Sequence, residues 1–161
     1  MGYLIGIIIV VVVFVIGFVV RQSRSNQLKQ SGLMQQRAAG FMRKETIFTS
    51  AVVMDARQVF NAMDRNTLSN NGIEVSMSGA SIILNGRHNL RASLVPLQPQ
   101  PGVSVFKYRV DHYVTKSGSF SDAAQDAPIQ GNAMLTAVER AFLQLDPKTQ
   151  TQVQDTTWTR S

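Results

Sequence analysis

The chain has 161 residues, no cysteine and a formal charge of +6. That length holds one modest domain with accessory segments, and the missing cysteines exclude a disulfide framework or a thiolate metal centre. Six basic residues and no acid stand before Glu45, while the remainder balances ten against ten; a nucleic-acid-binding module would carry its excess on the folded part, so no nucleic-acid partner is expected.

Tyr3 to Val20 (YLIGIIIVVVVFVIGFVV) is an unbroken apolar run. Its eighteen residues would span about 27 Å as a helix, close to the hydrocarbon thickness of a bilayer. A cleavable leader would need basic residues in front and small residues at the cut, whereas here Arg21-Gln22-Ser23-Arg24 follows the run. Residues 1–20 therefore read as an uncleaved single-pass transmembrane anchor in the cell membrane. Arg21, Arg24, Lys29 and Arg37 follow it before any acid, so the charge rule places the domain in the cytoplasm.

Residues 21–44 read as a basic juxtamembrane linker. Arg21, Arg24 and Lys29 are candidate contacts for lipid headgroups, or act simply as determinants of topology. Met34, Ala38 and Phe41 fall at helical spacing, so the stretch is either a short interfacial helix or a flexible stalk.

Residues 45–147 hold the expected domain. Glu45 to Met54 is β-branched and apolar, a strand. Asp55 and Gln58 form a capping-box pair, and Ala56, Val59, Phe60 and Met63 make the stripe of an amphipathic helix ended by Asn70-Asn71-Gly72. Ile73, Val75 and Met77 alternate with polar residues in a second strand. Asn85-Gly86 predicts a two-residue turn joining Ser81–Leu84 to a strand over His88 to Val95. Val103 to Thr115 alternates throughout: Phe106, Tyr108, Val110 and His112 on one face, Lys107, Arg109, Asp111 and Tyr113 on the other. Lys116 to Gly131 reads as a polar loop, and Asn132 caps a last helix that Asp146-Pro147 stops. The order β-α-β-β-β-β-α predicts an α+β fold, a two-layer sandwich of an antiparallel sheet and two helices. Residues 148–161 read as a polar tail holding Trp158, which either packs back or anchors a partner.

The run Phe48 to Met63 (FTSAVVMDARQVFNAM) resembles the opening of helix-grip proteins, the superfamily of START-like lipid carriers and polyketide cyclases. The resemblance implies an apolar cavity between sheet and closing helix, lined by Phe60, Phe106, Tyr108, His112 and Phe142. The alternative is that these side chains fill the core.

No catalytic pattern stands out. His88 and His112 have no ligand partners at metal spacing, and Asp111 and His112, adjacent on a strand, point to opposite faces. No phosphate-binding loop or nucleophile elbow occurs. A non-enzymatic protein without cofactor is expected. It reads as an accessory or interaction subunit of a membrane protein complex, meeting its partner through Lys107, Arg109, Tyr113 and Trp158. The alternative is a membrane-tethered carrier of an apolar ligand such as lipid or quinone.

Overall fold

The computed structural model describes residues 26, 28, 30–97, 101–113 and 122–156. The Tyr3–Val20 run lies outside them; among the described residues no helix is long and apolar enough to cross a membrane.

The fold is α+β, with six antiparallel strands in the order β2-β3-β4-β5-β1-β6. Thr46, Phe48 and Ser50 alternate inward along β1 (Lys44–Ser50), which gives a half-buried strand its period of two. β1 sits between β5 (Ser104–His112) and β6 (Gln150–Asp155), with Phe48 opposite both Phe106 and Thr151. β6 is a strand inside the segment expected to be a polar tail. All six of its residues are exposed, so no buried face marks it in the sequence.

The capping box forms as its residues dictate. Asp55 Oδ1 accepts from the Gln58 amide at 2.8 Å, and Gln58 Oε1 accepts from the Asp55 amide at 2.8 Å. Helix α1 (Ala56–Ala62) stops at Met63, where ψ swings to 136°, and Asp64 caps a second short helix, α2 (Arg65–Asn70). The single expected helix is therefore two. Gly72, at φ +75°, ends α2, and the Ile73 amide reaches back to the Leu68 carbonyl at 3.0 Å. That is a Schellman motif, with Leu68 and Ile73 both buried as its apolar pair.

β2 (Glu74–Ser78) and β3 (Ser81–Asn85) form the first hairpin, and β4 (Arg91–Pro96) follows β3. The Asn85-Gly86 turn is corrected: the loop is Gly86–Leu90, closed by Gly86 N donating to Leu90 O at 2.7 Å. Positive φ falls on His88 (55°) and Asn89 (60°) instead. Gly86 instead lets the loop approach α3 closely, since a Cβ there would lie 2.5 Å from Gln130 Oε1 and the Gln130 side chain would have to shift.

Helix α3 spans Asp122–Leu145, well beyond the start at Asn132 that the sequence suggests, and carries Pro128 inside it. Pro128 and Gly131 made the stretch look like loop. Every residue from Gly131 to Val138 is buried, so α3 needs cover on all sides. The sheet covers one side through Phe48 and Phe106, which pack on Phe142.

The other side is covered by the segment expected to be a linker. Leu28, Leu33 and Met42 are only 4%, 3% and 6% exposed and belong to the core. Gly32, at φ +69°, ends the helical backbone at Leu28 and Gln30, and Leu33 N donates to Leu28 O at 3.0 Å. This is a second Schellman motif, again with buried partners. Met42 lies so close to α3 that a Cβ at Gly131 would stand 3.2 Å from its Cε. Neither an interfacial helix over 33–44 nor a free stalk describes it: Gln35 and Arg37 bond to α3, and Phe41–Arg43 form a short 3-10 turn into β1.

Candidate functional site

The residues expected to line a cavity lie mostly on the inner face. Phe106 and Phe142 are fully buried and meet edge to face, with ring centroids 5.3 Å apart. Phe48 stacks on Phe142 at 4.6 Å with the planes 5° apart. Such ring contacts are favourable beyond the area they bury, and here they fill the space between β1, β5 and α3. Phe60 is only partly buried, and the Arg65 guanidinium sits 4.5 Å from its ring centroid, a cation–π arrangement. His112 is a correction: it is exposed at the last position of β5. It pairs with the exposed Arg91 at the register shift between β4 and β5, where the inward alternation of β5 is broken.

Tyr108 stands between Thr46 and Leu94 on that face and is 2% exposed. Its hydroxyl is the buried side-chain polar atom that finds no hydrogen-bond partner among the described residues. Burial pushes its ionisation far above the ordinary phenol range; the Arg37 charge opposes that shift, and Asp111 and Glu139 add to it.

The opposite sheet face carries Lys107 and Arg109 of the residues expected to meet a partner; Tyr113 is a correction, since it follows the end of β5 and packs against the core. Lys107 Nζ lies 3.5 Å from Glu45 Oε1, and Arg109 Nε donates to Asp111 Oδ1 at 2.6 Å. Ser93 Oγ donates to the same Asp111 oxygen at 3.0 Å, and the Tyr113 hydroxyl accepts from Arg43 Nε at 3.2 Å. The face is therefore charge-paired within itself, with Ile47 and Val105 partly exposed beside the ion pairs. Trp158, Arg21, Arg24 and Lys29 lie outside the described residues.

Two polar clusters had no signal in the sequence. Arg37 makes a bidentate pair with Glu139, both contacts at 2.6 Å. It also donates to Asn132 Oδ1 at 3.1 Å and Thr136 Oγ1 at 2.9 Å, while Asn132 Nδ2 donates to Gln35 O at 2.7 Å. Both ion-pair side chains are 14% exposed, so this is a largely desolvated fork that pins the N-terminal segment to α3. The partners are about a hundred residues apart, beyond the reach of any local pattern.

The second cluster centres on Asp146 at the end of α3. Its carboxylate accepts from Ser50 Oγ at 2.7 Å, Lys148 N at 2.9 Å and Ala51 N at 3.0 Å. The Ser50 hydroxyl, then the Lys148 amide, hold its pKa below the usual aspartate value. The Ser50 hydroxyl also accepts from Val52 N at 3.0 Å, so the pair ties the end of β1 to the end of α3. His88 Nε2 lies 3.7 Å from Asp126 Oδ2, and among the described residues no three His, Cys, Asp or Glu side chains converge on a metal position. Compared with models of protein families, with curated proteins and with solved structures, the chain finds no match.

Proposed function

We propose that the chain is a single-pass, membrane-anchored, non-catalytic protein, an accessory or interaction subunit of a membrane protein complex with its domain in the cytoplasm. The observation that carries the reading is the short path between the apolar run and the core: Leu28 is already buried, eight positions after Val20. A domain that begins so soon after a hydrophobic run is a domain built to stay beside whatever holds that run. The basic residues Arg21, Arg24 and Lys29 fit the role of headgroup contacts on the cytoplasmic side.

The charge-paired face with Lys107 and Arg109 is the proposed contact for a partner protein. Its self-neutralised charges suit a surface that is desolvated on docking without leaving an unpaired ion. Extraction in mild detergent at low salt, followed by native mass spectrometry, should give a complex of fixed stoichiometry. Lys107→Ala with Arg109→Ala should weaken it. A lone monomer under those conditions rejects the reading. The second reading, a tethered carrier of lipid or quinone, rests on the same inner face and the helix-grip resemblance. The ring contacts among Phe48, Phe106 and Phe142 favour a filled core over a ligand cavity.

A further inference from the structure

One end of the molecule combines two features. α3 runs in the same direction as β1, because Asp146 at its C-terminus bonds Ser50 and Ala51 at the C-terminal end of β1. Around that end stand exposed apolar side chains: Val52 at 47%, Val53 at 70%, Leu143 at 50% and Leu97 at 38%. Leu97 belongs there because its amide donates to Val105 O, at the start of β5. The loop Gly86–Leu90 at the opposite end exposes His88 and Asn89 instead.

The N-terminal segment enters at the same end. Arg140 donates to Ser31 O at 3.1 Å, late in α3, whereas Gln35 bonds Asn132, two turns earlier. From Ser31 to Gln35 the segment therefore runs toward the opposite end, and Ser31 stands beside the C-terminal part of α3. Eight residue steps separate Leu28 from Val20, a reach of at most about 28 Å even fully extended.

We infer that this end of the domain rests in the headgroup layer of the bilayer, with Val52, Val53, Leu97 and Leu143 dipping among the lipids. The inference rests on the anchor reading above and adds an orientation to it. The occupant of the apolar end is the membrane, because Ser31 stands at this end and only ten positions separate it from Arg21, the first residue after the apolar run. The exposed Arg140 and Lys148 offer cations to anionic lipid at the same end. The Asp55 carboxylate nearby is already engaged by its capping box.

The chain has no native cysteine, so Val53→Cys, Leu143→Cys and Asn89→Cys each create a unique labelling site on an exposed position. Each full-length variant is labelled with an environment-sensitive fluorophore and placed in liposomes containing anionic phospholipid and nitroxide-bearing lipid. Quenching several-fold stronger at positions 53 and 143 than at 89 is the expected result. Equal quenching at all three, in a chain that resists extraction by alkaline carbonate, overturns the docking and leaves the anchor standing. Release of the chain by carbonate overturns the anchor, and the docking with it.

Discussion

The N-terminal segment from Leu28 to Arg43 and the C-terminal strand β6 both lie outside the stretch expected to fold, yet they are held in opposite ways. The first contributes side chains: Leu28, Leu33 and Met42 join the core, and Arg37 forms a desolvated fork with Glu139. The second contributes backbone: it continues the ladder beyond β1 in register from Thr49 with Gln150 to Lys44 with Asp155, and none of its side chains is buried. A flank fixed by side chains is part of the folding unit, and its loss uncovers α3. A flank fixed by a ladder alone protects an edge, and its loss uncovers only β1.

Truncation breaks the comparison most directly. A chain beginning at Asn26 should fold cooperatively, and one beginning at Glu45 should not. Three buried apolar side chains at about 1.5–3 kcal/mol each amount to roughly 5–9 kcal/mol, comparable with the whole stability of a small domain. By contrast, a chain that starts at Asn26 and ends at Lys148 should remain folded and lose only about 1–3 kcal/mol, since it gives up ladder bonds of modest net worth. Urea unfolding followed by circular dichroism measures all three. Equal losses from the two truncations would remove the distinction.

Arg37 tests the fork alone. Arg37→Ala leaves Glu139 without its partner in a mostly desolvated position and should cost about 2–4 kcal/mol, at the lower side of buried-pair losses because some solvent reaches both groups. The double variant Arg37→Met with Glu139→Leu should recover most of that loss, because an apolar pair of similar size leaves no unpaired charge. A double variant as unstable as the single one would mean that the bonds to Asn132 and Thr136, rather than the charges, hold the segment.

Asp146 is the corresponding test near β6, since it joins β1, α3 and the turn that leads into the strand. Its pKa is lower when folded than when unfolded, so the carboxylate stabilises the fold above the ordinary aspartate value, near 4. That contribution should fade as pH falls through the depressed folded value. Stability measured from pH 7 down to 2 should therefore decline more steeply for the natural chain than for Asp146→Asn. Parallel pH profiles would show that the Ser50 and amide contacts are as good with a neutral amide.

What was legible in the sequence follows the same division between local and distant causes. The capping box at Asp55 and Gln58, the stop at Gly72, and the inward alternation of Phe106, Tyr108 and Val110 are short-range patterns, and each forms. The four central strands and the layer of helices follow from them. Strand β6 was invisible because Gln, Thr and Val at exposed positions present no apolar face to recognise. The first half of α3 was masked by Pro128 and Gly131, which signal breaks unless tertiary cover overrides them. The N-terminal segment looked like linker because its basic residues dominate its composition. Its two leucines gain meaning only when α3 is seen to need cover on both sides. Alternation along β5 does not reach His112 and Tyr113, because the register shift at Arg91 pairs His112 with an exposed residue and leaves Tyr113 packed against the core.

The smallest expected effect concerns the space beneath the N-terminal segment. The Tyr108 hydroxyl is buried with no partner among the described residues, and the charges of Arg37 and Glu139 both act on it. A hydroxyl desolvated without a compensating bond opposes folding, so Tyr108→Phe should leave stability unchanged or raise it by up to about 1 kcal/mol. The ring and its packing stay the same, which isolates the one atom. If the hydroxyl is unpaired in solution as well, the gain should persist in the Arg37→Met, Glu139→Leu background. A loss of more than about 1 kcal/mol on removing the hydroxyl would instead mean that it is hydrogen-bonded in solution. The N-terminal segment would then enclose a polar interior rather than complete a dry core, and the contrast with β6 would rest on the fork and not on burial.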